Sequence, residues 1–87
     1  NLSLVGTSLI NASFVSMSLD DADFEGCDLT DASFLNVFLS STNFYRARLV
    51  RTNFNQSRTT LVDFSLADLT NSNINEKQWL DALVTNM

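Results

Sequence analysis

The groups able to do chemistry in this 87-residue chain are ten carboxylates and one thiol. Six of the carboxylates, Asp20, Asp21, Asp23, Glu25, Asp28 and Asp31, fall within twelve residues. Paired carboxylates can act as general acid and base, but only where burial drives their pKa values apart. No His is present, which removes the commonest general base and metal ligand. The single Cys27 excludes an internal disulfide and a Cys-based zinc cluster. There is no Gly-rich phosphate loop and no nucleophile elbow. Asn11-Ala12-Ser13 and Asn55-Gln56-Ser57 fit the N-glycosylation pattern, a triplet common by chance in so Asn- and Ser-rich a chain. These residues point away from an enzyme: no catalytic, cofactor or metal site is expected.

Whatever these groups do depends on the elements that hold them. The length allows one domain, and no apolar run is long enough for a transmembrane helix. A net charge of −5 argues against a general nucleic-acid binder. Seven Phe are many for so small a core, and two Gly with no Pro are few for a fold of tight hairpins. The spacing of the apolar residues resolves this. Counted in fives from Leu4, the positions 4 to 74 hold Leu, Phe or Ile at all but Thr59, and six of the seven Phe share this phase. Chance would give roughly four matches. A second column two residues earlier is small or apolar, as at Ala12, Ala22, Cys27, Ala32 and Ala47. The residue between the two columns is mostly Ser, Asp, Asn or Arg.

A period of five fits neither a helix nor a strand. One large and one small inward residue, two apart, describe a very short strand that must turn before the next. From residue 9 to 54 Leu and Phe alternate, so like residues recur every ten. With four sides and twenty residues per coil, Phe14, Phe34 and Phe54 would stack in one column and Phe24, Phe44 and Phe64 in the opposite one. The units Ala12-Ser13-Phe14, Ala22-Asp23-Phe24, Cys27-Asp28-Leu29, Ala32-Ser33-Phe34 and Ala67-Asp68-Leu69 resemble the pentapeptide-repeat family over about residues 2–76. That resemblance implies an all-β solenoid, a right-handed quadrilateral β-helix of nearly four coils with a short C-terminal capping α-helix.

The pattern breaks twice. Ser57 and Thr59 leave one corner of the third coil polar and underfilled, with Leu39 above and Trp79 expected below. Their hydroxyls are expected to bond nearby backbone groups, or Leu61 to fill the gap. After Ile74 the period stops. Asn75 with Gln78 reads as a capping box, and Ile74 with Trp79 as a hydrophobic staple. Trp79, Leu80, Leu83 and Val84 are expected on one helix face, docked on the last coil. The repeat thus occupies 2–75 and the capping helix with its tail 76–87. The chain enters in register at Leu2, so a segment upstream of residue 1, or a partner at that end, is expected.

Three surfaces invite function. Val15, Leu35 and the out-of-phase Phe38 form a candidate protein-contact patch, with Arg58 expected against Phe38 as a cation–π neighbour. The six clustered acids form a candidate acidic contact surface. Trp79, Leu80 and Leu83 are candidates for an end-to-end or dimer contact. Twenty-residue coils would also set Asp28, Arg48 and Asp68 in one column and Asp31 over Arg51, a salt ladder fixing register. The resulting reading is a non-catalytic scaffold or protein–protein interaction module. It has a protein partner, no cofactor, no direct nucleic-acid binding and no membrane insertion, and an end-to-end homodimer is among its options. The alternative that the resemblance implies is an acidic DNA mimic that binds a type II topoisomerase such as gyrase.

Overall fold

The computed structural model describes residues 2–83, the side chain of Leu83 excepted. Its organising contact is the parallel bridge between residue i and residue i+20, as in Ser3 to Asp23, Asp28 to Arg48 and Asn43 to Asp63. Bridges recur every five residues, so each coil has four sides. We number the sides by their first bridging residues: Ser3, Ser8, Ser13 and Ser18. Each side contributes one bridging residue per coil, held by two bonds. Phe24 N–H, for instance, donates to the Asn43 carbonyl at 2.8 Å, and Asn43 N–H donates back to the Ala22 carbonyl at 2.9 Å.

The corners follow from residue type. In twelve corners the small inward residue donates its N–H to the Leu, Phe or Thr three residues earlier, as Ala22 does to Leu19 at 3.0 Å. The residue before it has positive φ, every five residues from 6 to 71. A β-turn with left-handed φ at its third residue favours Gly or Asn. Only Gly6 and Gly26 meet that preference as glycines, with φ of 70° and 67°. Polar residues fill most other corners, but Leu61 and Leu66 occupy two, at 59° and 58°. Each costs about 1–2 kcal/mol of backbone preference, offset by the coil stacking on either side.

The outward Asp and Asn explain how the chain turns. Asp23, Asp28, Asn43, Asn53, Asp63 and Asp68 each accept, on a side-chain oxygen, the N–H two residues ahead, at 2.8–3.1 Å. This is the Asx turn, which bends the backbone toward the corner.

The interior is a column of side chains. Phe24, Phe34, Phe44 and Phe54 are fully buried, as are Leu29, Leu39 and Leu49. Phe14, Phe34 and Phe54 stack nearly parallel, with centroids 5.1 and 5.4 Å apart, and Phe24, Phe44 and Phe64 do the same at 5.3 and 5.7 Å. The two ladders meet edge to face. Each such pair contributes about 0.5–1.5 kcal/mol beyond area burial. Three polar residues in the small column share one repeated bond, whereas the Ser57 hydroxyl donates to the Phe54 carbonyl at 2.8 Å. Thr42 and Thr52 hydroxyls and the Cys27 thiol each donate to the carbonyl 23 residues earlier, at 2.9, 3.0 and 2.7 Å.

The single helix among the described residues, α1 (Glu76–Leu83), closes the far end. The capping box is present: Gln78 N–H donates to Asn75 Oδ1 at 2.8 Å, and Asn75 N–H donates to Gln78 Oε1 at 3.0 Å. The docked face differs from the expected one. Gln78 and Ala82 are buried, whereas Leu80 is 54% exposed. The underside of the last coil presents carbonyls as well as apolar groups, so it selects a side chain with donors. Trp79 does not lie beneath Thr59; it stacks under Phe64 at 6.1 Å and lengthens that ladder. Leu61 does not fill the polar corner either, being 41% exposed at its left-handed turn. Val84 and the remaining tail lie outside the described residues.

Candidate functional site

Four lateral sides and two ends are available for contact. The interior holds packed phenyl and aliphatic groups, and no buried side-chain nitrogen or oxygen lacks a hydrogen-bond partner among the described residues. Cys27 is buried inside the second side, and desolvation pushes its thiol pKa up. A raised thiol pKa keeps the sulfur protonated and a poor nucleophile. Among the described residues no group of three His, Cys, Asp or Glu side chains could hold a metal ion, and no helix is long and apolar enough to cross a membrane.

The six clustered acids run around the second coil rather than along the rod. Asp20 and Asp21 sit at one corner, Asp23 on the first side, Glu25 at the next corner, Asp28 on the second side and Asp31 at the corner after it. One coil below lie Arg46, Arg48 and Arg51, and Arg58 lies farther round the same coil. Along the axis the first side reads Ser3, Asp23, Asn43, Asp63. Asp23 and Asp28 are committed to their Asx turns. Asn43 Nδ2 also donates to Asp23 at 3.2 Å.

Asp31 and Arg51 form the expected ion pair, with two bonds at 2.7 and 2.9 Å. The expected ladder of Asp28, Arg48 and Asp68 does not close. The three are in register, but Asp28 and Asp68 turn to the hydroxyl and N–H of Thr30 and Thr70, and Arg48 Nε donates to the Thr30 hydroxyl at 3.2 Å. A side chain two residues away reaches the carboxylate without ordering a long arginine, so the local bond wins.

These bonds lower the carboxyl pKa values of Asp28 and Asp68, and the Arg51 guanidinium lowers that of Asp31. A depressed folded pKa contributes stability above the unfolded value, about 3.9, and loses it as pH falls through the folded value. Melting temperature is therefore expected to hold from neutral pH to about pH 5 and to fall below about pH 4. Asp31→Asn should remove part of that fall, which thermal melts across the range would measure.

The opposite part of the rod carries apolar side chains among polar ones, with Val15 exposed and Leu35 half-buried. Val15 and Leu35 occupy successive levels of the corner between the third and fourth sides, where Ser16 N–H donates to the Leu35 carbonyl at 3.0 Å. Phe38 stands on the adjacent fourth side, 46% exposed, with the Arg58 guanidinium 5.1 Å from its ring centroid. Met17, whose carbonyl accepts the Phe38 N–H, is 41% exposed at the top of that side. Its inward phase hid it from the sequence reading. The signal that could have found it is its size, a large residue in the column otherwise kept mostly for small ones.

The cap leaves a second apolar region. Leu66, Leu69, Trp79 and Ala82 line a groove between the last coil and α1. Of the residues expected at an end contact, Trp79 is 39% and Leu80 54% exposed, and the Leu83 side chain lies outside the described residues.

A sequence model described as pentapeptide repeats matches residues 1–34, 22–58 and 47–76, with 8 copies. The chain belongs to the pentapeptide-repeat family. Its fold is accordingly the right-handed quadrilateral β-helix with one C-terminal helix. Among solved structures 17 chains match. One is the crystal structure of a pentapeptide repeat protein from the thylakoid lumen of Arabidopsis thaliana, with a TM-score of 0.76 and 28% identity over 77% of this chain. This pentapeptide-repeat protein spans 46% of that chain's length. No functionally curated protein matches it. Membership supports a repeat scaffold or interaction module.

Proposed function

We propose that this pentapeptide-repeat protein is a non-catalytic scaffold that binds a protein partner through the ridge of Val15, Leu35 and Phe38, with Met17 at its upper edge. The observation that carries this reading is the large exposed phenyl group of Phe38, held in place by Arg58 beside two aliphatic neighbours on a rigid stack. Aromatic and arginine side chains on a pre-ordered surface lose little entropy on binding and are the usual anchors of interfaces. The convex surface and the filled interior favour contact over catalysis, since carboxylate chemistry needs a desolvated cleft.

The acidic band supports a DNA mimic less well. Such a mimic needs negative charge running along the rod, and here the acids run across it with arginines one coil below. Absence of gyrase supercoiling inhibition at high micromolar protein would count against that alternative.

The scaffold reading is tested by a photo-crosslinker placed at position 38 and, as a control, at Ser33 on the third side. A discrete protein adduct from position 38 in an extract of the source organism, lost in Leu35→Asp, is the expected result. Equal labelling from both positions, or none from position 38, would overturn the assignment of the ridge.

A further inference from the structure

We propose that the second lateral side, with its two bounding corners, is a self-complementary surface through which two copies of this protein pair antiparallel. The surface carries Glu25, Asp28 and Asp31 on the second coil. Arg46, Arg48 and Arg51 lie on the third. Their registration is fixed by the Asp28 to Arg48 bridge and by the N–H bonds of Gly26 to the Tyr45 carbonyl and of Asp31 to the Val50 carbonyl, both 2.9 Å. Of the three carboxylate–guanidinium pairs, only Asp31 and Arg51 close as an ion pair within the chain, among the described residues. Arg48 spends its Nε on Thr30, and the Arg46 guanidinium lies 5.3 Å from the Tyr45 ring centroid. The Glu25 carboxylate accepts only a long bond, 3.5 Å, from Asn43. Two of the three opposite-sign pairs are thus left to be completed from outside.

Symmetry decides which partner completes them. A two-fold axis lying in this surface and perpendicular to the rod reverses the coil order but keeps each corner on its own side. Coil two then faces coil three of the second copy. Glu25 meets Arg46, Asp28 meets Arg48 and Asp31 meets Arg51, each pair occurring twice. An axis parallel to the rod would instead set acid on acid, which electrostatics forbids.

The same rotation has an independent consequence. It sets coil one against coil four, so Val5 at one corner meets Leu66 of the second copy. These two are 53% and 70% exposed, and Leu66 is the most exposed large apolar side chain in the described structure. Four coils at about 4.8 Å make a surface about 19 Å tall. It belongs with the small interfaces below about 1,200 Å² in total, which are weak and transient. The pair is therefore concentration-dependent and sensitive to salt.

Sedimentation equilibrium of the intact protein tests this. Self-association is expected at low ionic strength and should disappear near 1 M salt, where the screening length is about 3 Å. Asp28→Arg and Arg48→Asp each place like charges opposite one another twice in a self-pair, so each alone should weaken association about tenfold or more. Mixed together they should pair again, because both cross-contacts are then of opposite sign. Glu25→Lys with Arg46→Glu repeats the test at a corner, should either of the first variants melt early. A monomer at low salt and millimolar concentration would overturn the proposal. So would association indifferent to the reversals, as an end-to-end contact at Trp79 and Leu80 would be, or well-folded variants that stay apart on mixing.

Discussion

Phe34→Asp is expected to yield a chain that does not fold, with no cooperative melt and a circular dichroism spectrum of disordered backbone. Phe34 is fully buried at the centre of the stack. Its ring lies parallel to Phe14 and Phe54 at 5.1 and 5.4 Å, and its edges meet Phe24 and Phe44 at 5.8 and 5.5 Å. A carboxylate there would be surrounded by four phenyl rings and no donor, and burying an unpaired charge costs more than a domain of this size can sustain. Graded substitutions separate charge from volume. Phe34→Ala should cost about 3–5 kcal/mol. Phe34→Leu should cost only about 1–2 kcal/mol, because an aliphatic group of the type that alternates with Phe still fills the column. Phe14→Ala should cost less than Phe34→Ala, since Phe14 is partly exposed with a single parallel neighbour below it. Equal losses at 14 and 34 would contradict stacking as the source of stability.

The second large effect is expected at Gln78. Its Nε2 donates to the Phe54 carbonyl at 2.7 Å and the Ser57 carbonyl at 3.0 Å, while its Oε1 and N–H form the capping box with Asn75. Its own carbonyl accepts the Thr59 hydroxyl at 2.8 Å. Gln78→Ala keeps the helix backbone but strips the Ser57 carbonyl of this donor, whereas the Phe54 carbonyl retains the Ser57 N–H and hydroxyl. With the capping loss, about 2–3 kcal/mol is expected. Trp79, the only tryptophan, reports the event directly: its emission should shift to the red and quench more readily as α1 leaves Phe64. Thr59→Val, which removes one bond and keeps the shape, should cost about 1 kcal/mol. If Gln78→Ala melts as the parent does, with Trp79 emission unchanged, the helix is not held as described.

These two positions also mark what could and could not be read in advance. Phe34 announces itself by phase alone: a large apolar residue every fifth place, flanked by a small one, has no other economical burial. Gln78 was legible only as a helix cap. That the same amide plugs the polar corner left by Ser57 and Thr59 joins residues some twenty apart, and no local pattern encodes it. The acidic residues show the same division. The charge of Asp23 and Asp28 is plain in the sequence, but that each also accepts the N–H two residues ahead and turns the chain is seen only in the fold. Arg48 was paired by column with Asp28, but a nearby threonine hydroxyl competes for it.

Residue type and spacing by themselves determined the repeat, its inward and outward columns and the place where the period ends. They did so because each depends on neighbours within five residues and on the need to bury Leu and Phe. The tertiary structure decided the rest. It established that four sides close a coil, that Trp79 extends a ladder instead of sealing a corner, that leucines hold two left-handed turns, and that acidic and basic rows lie one coil apart on the same side. Apart from the two leucine turns, which are local backbone angles held by the stacked coils, these are relations between residues fifteen to twenty positions apart, set by the closure of the coil and invisible to any local period.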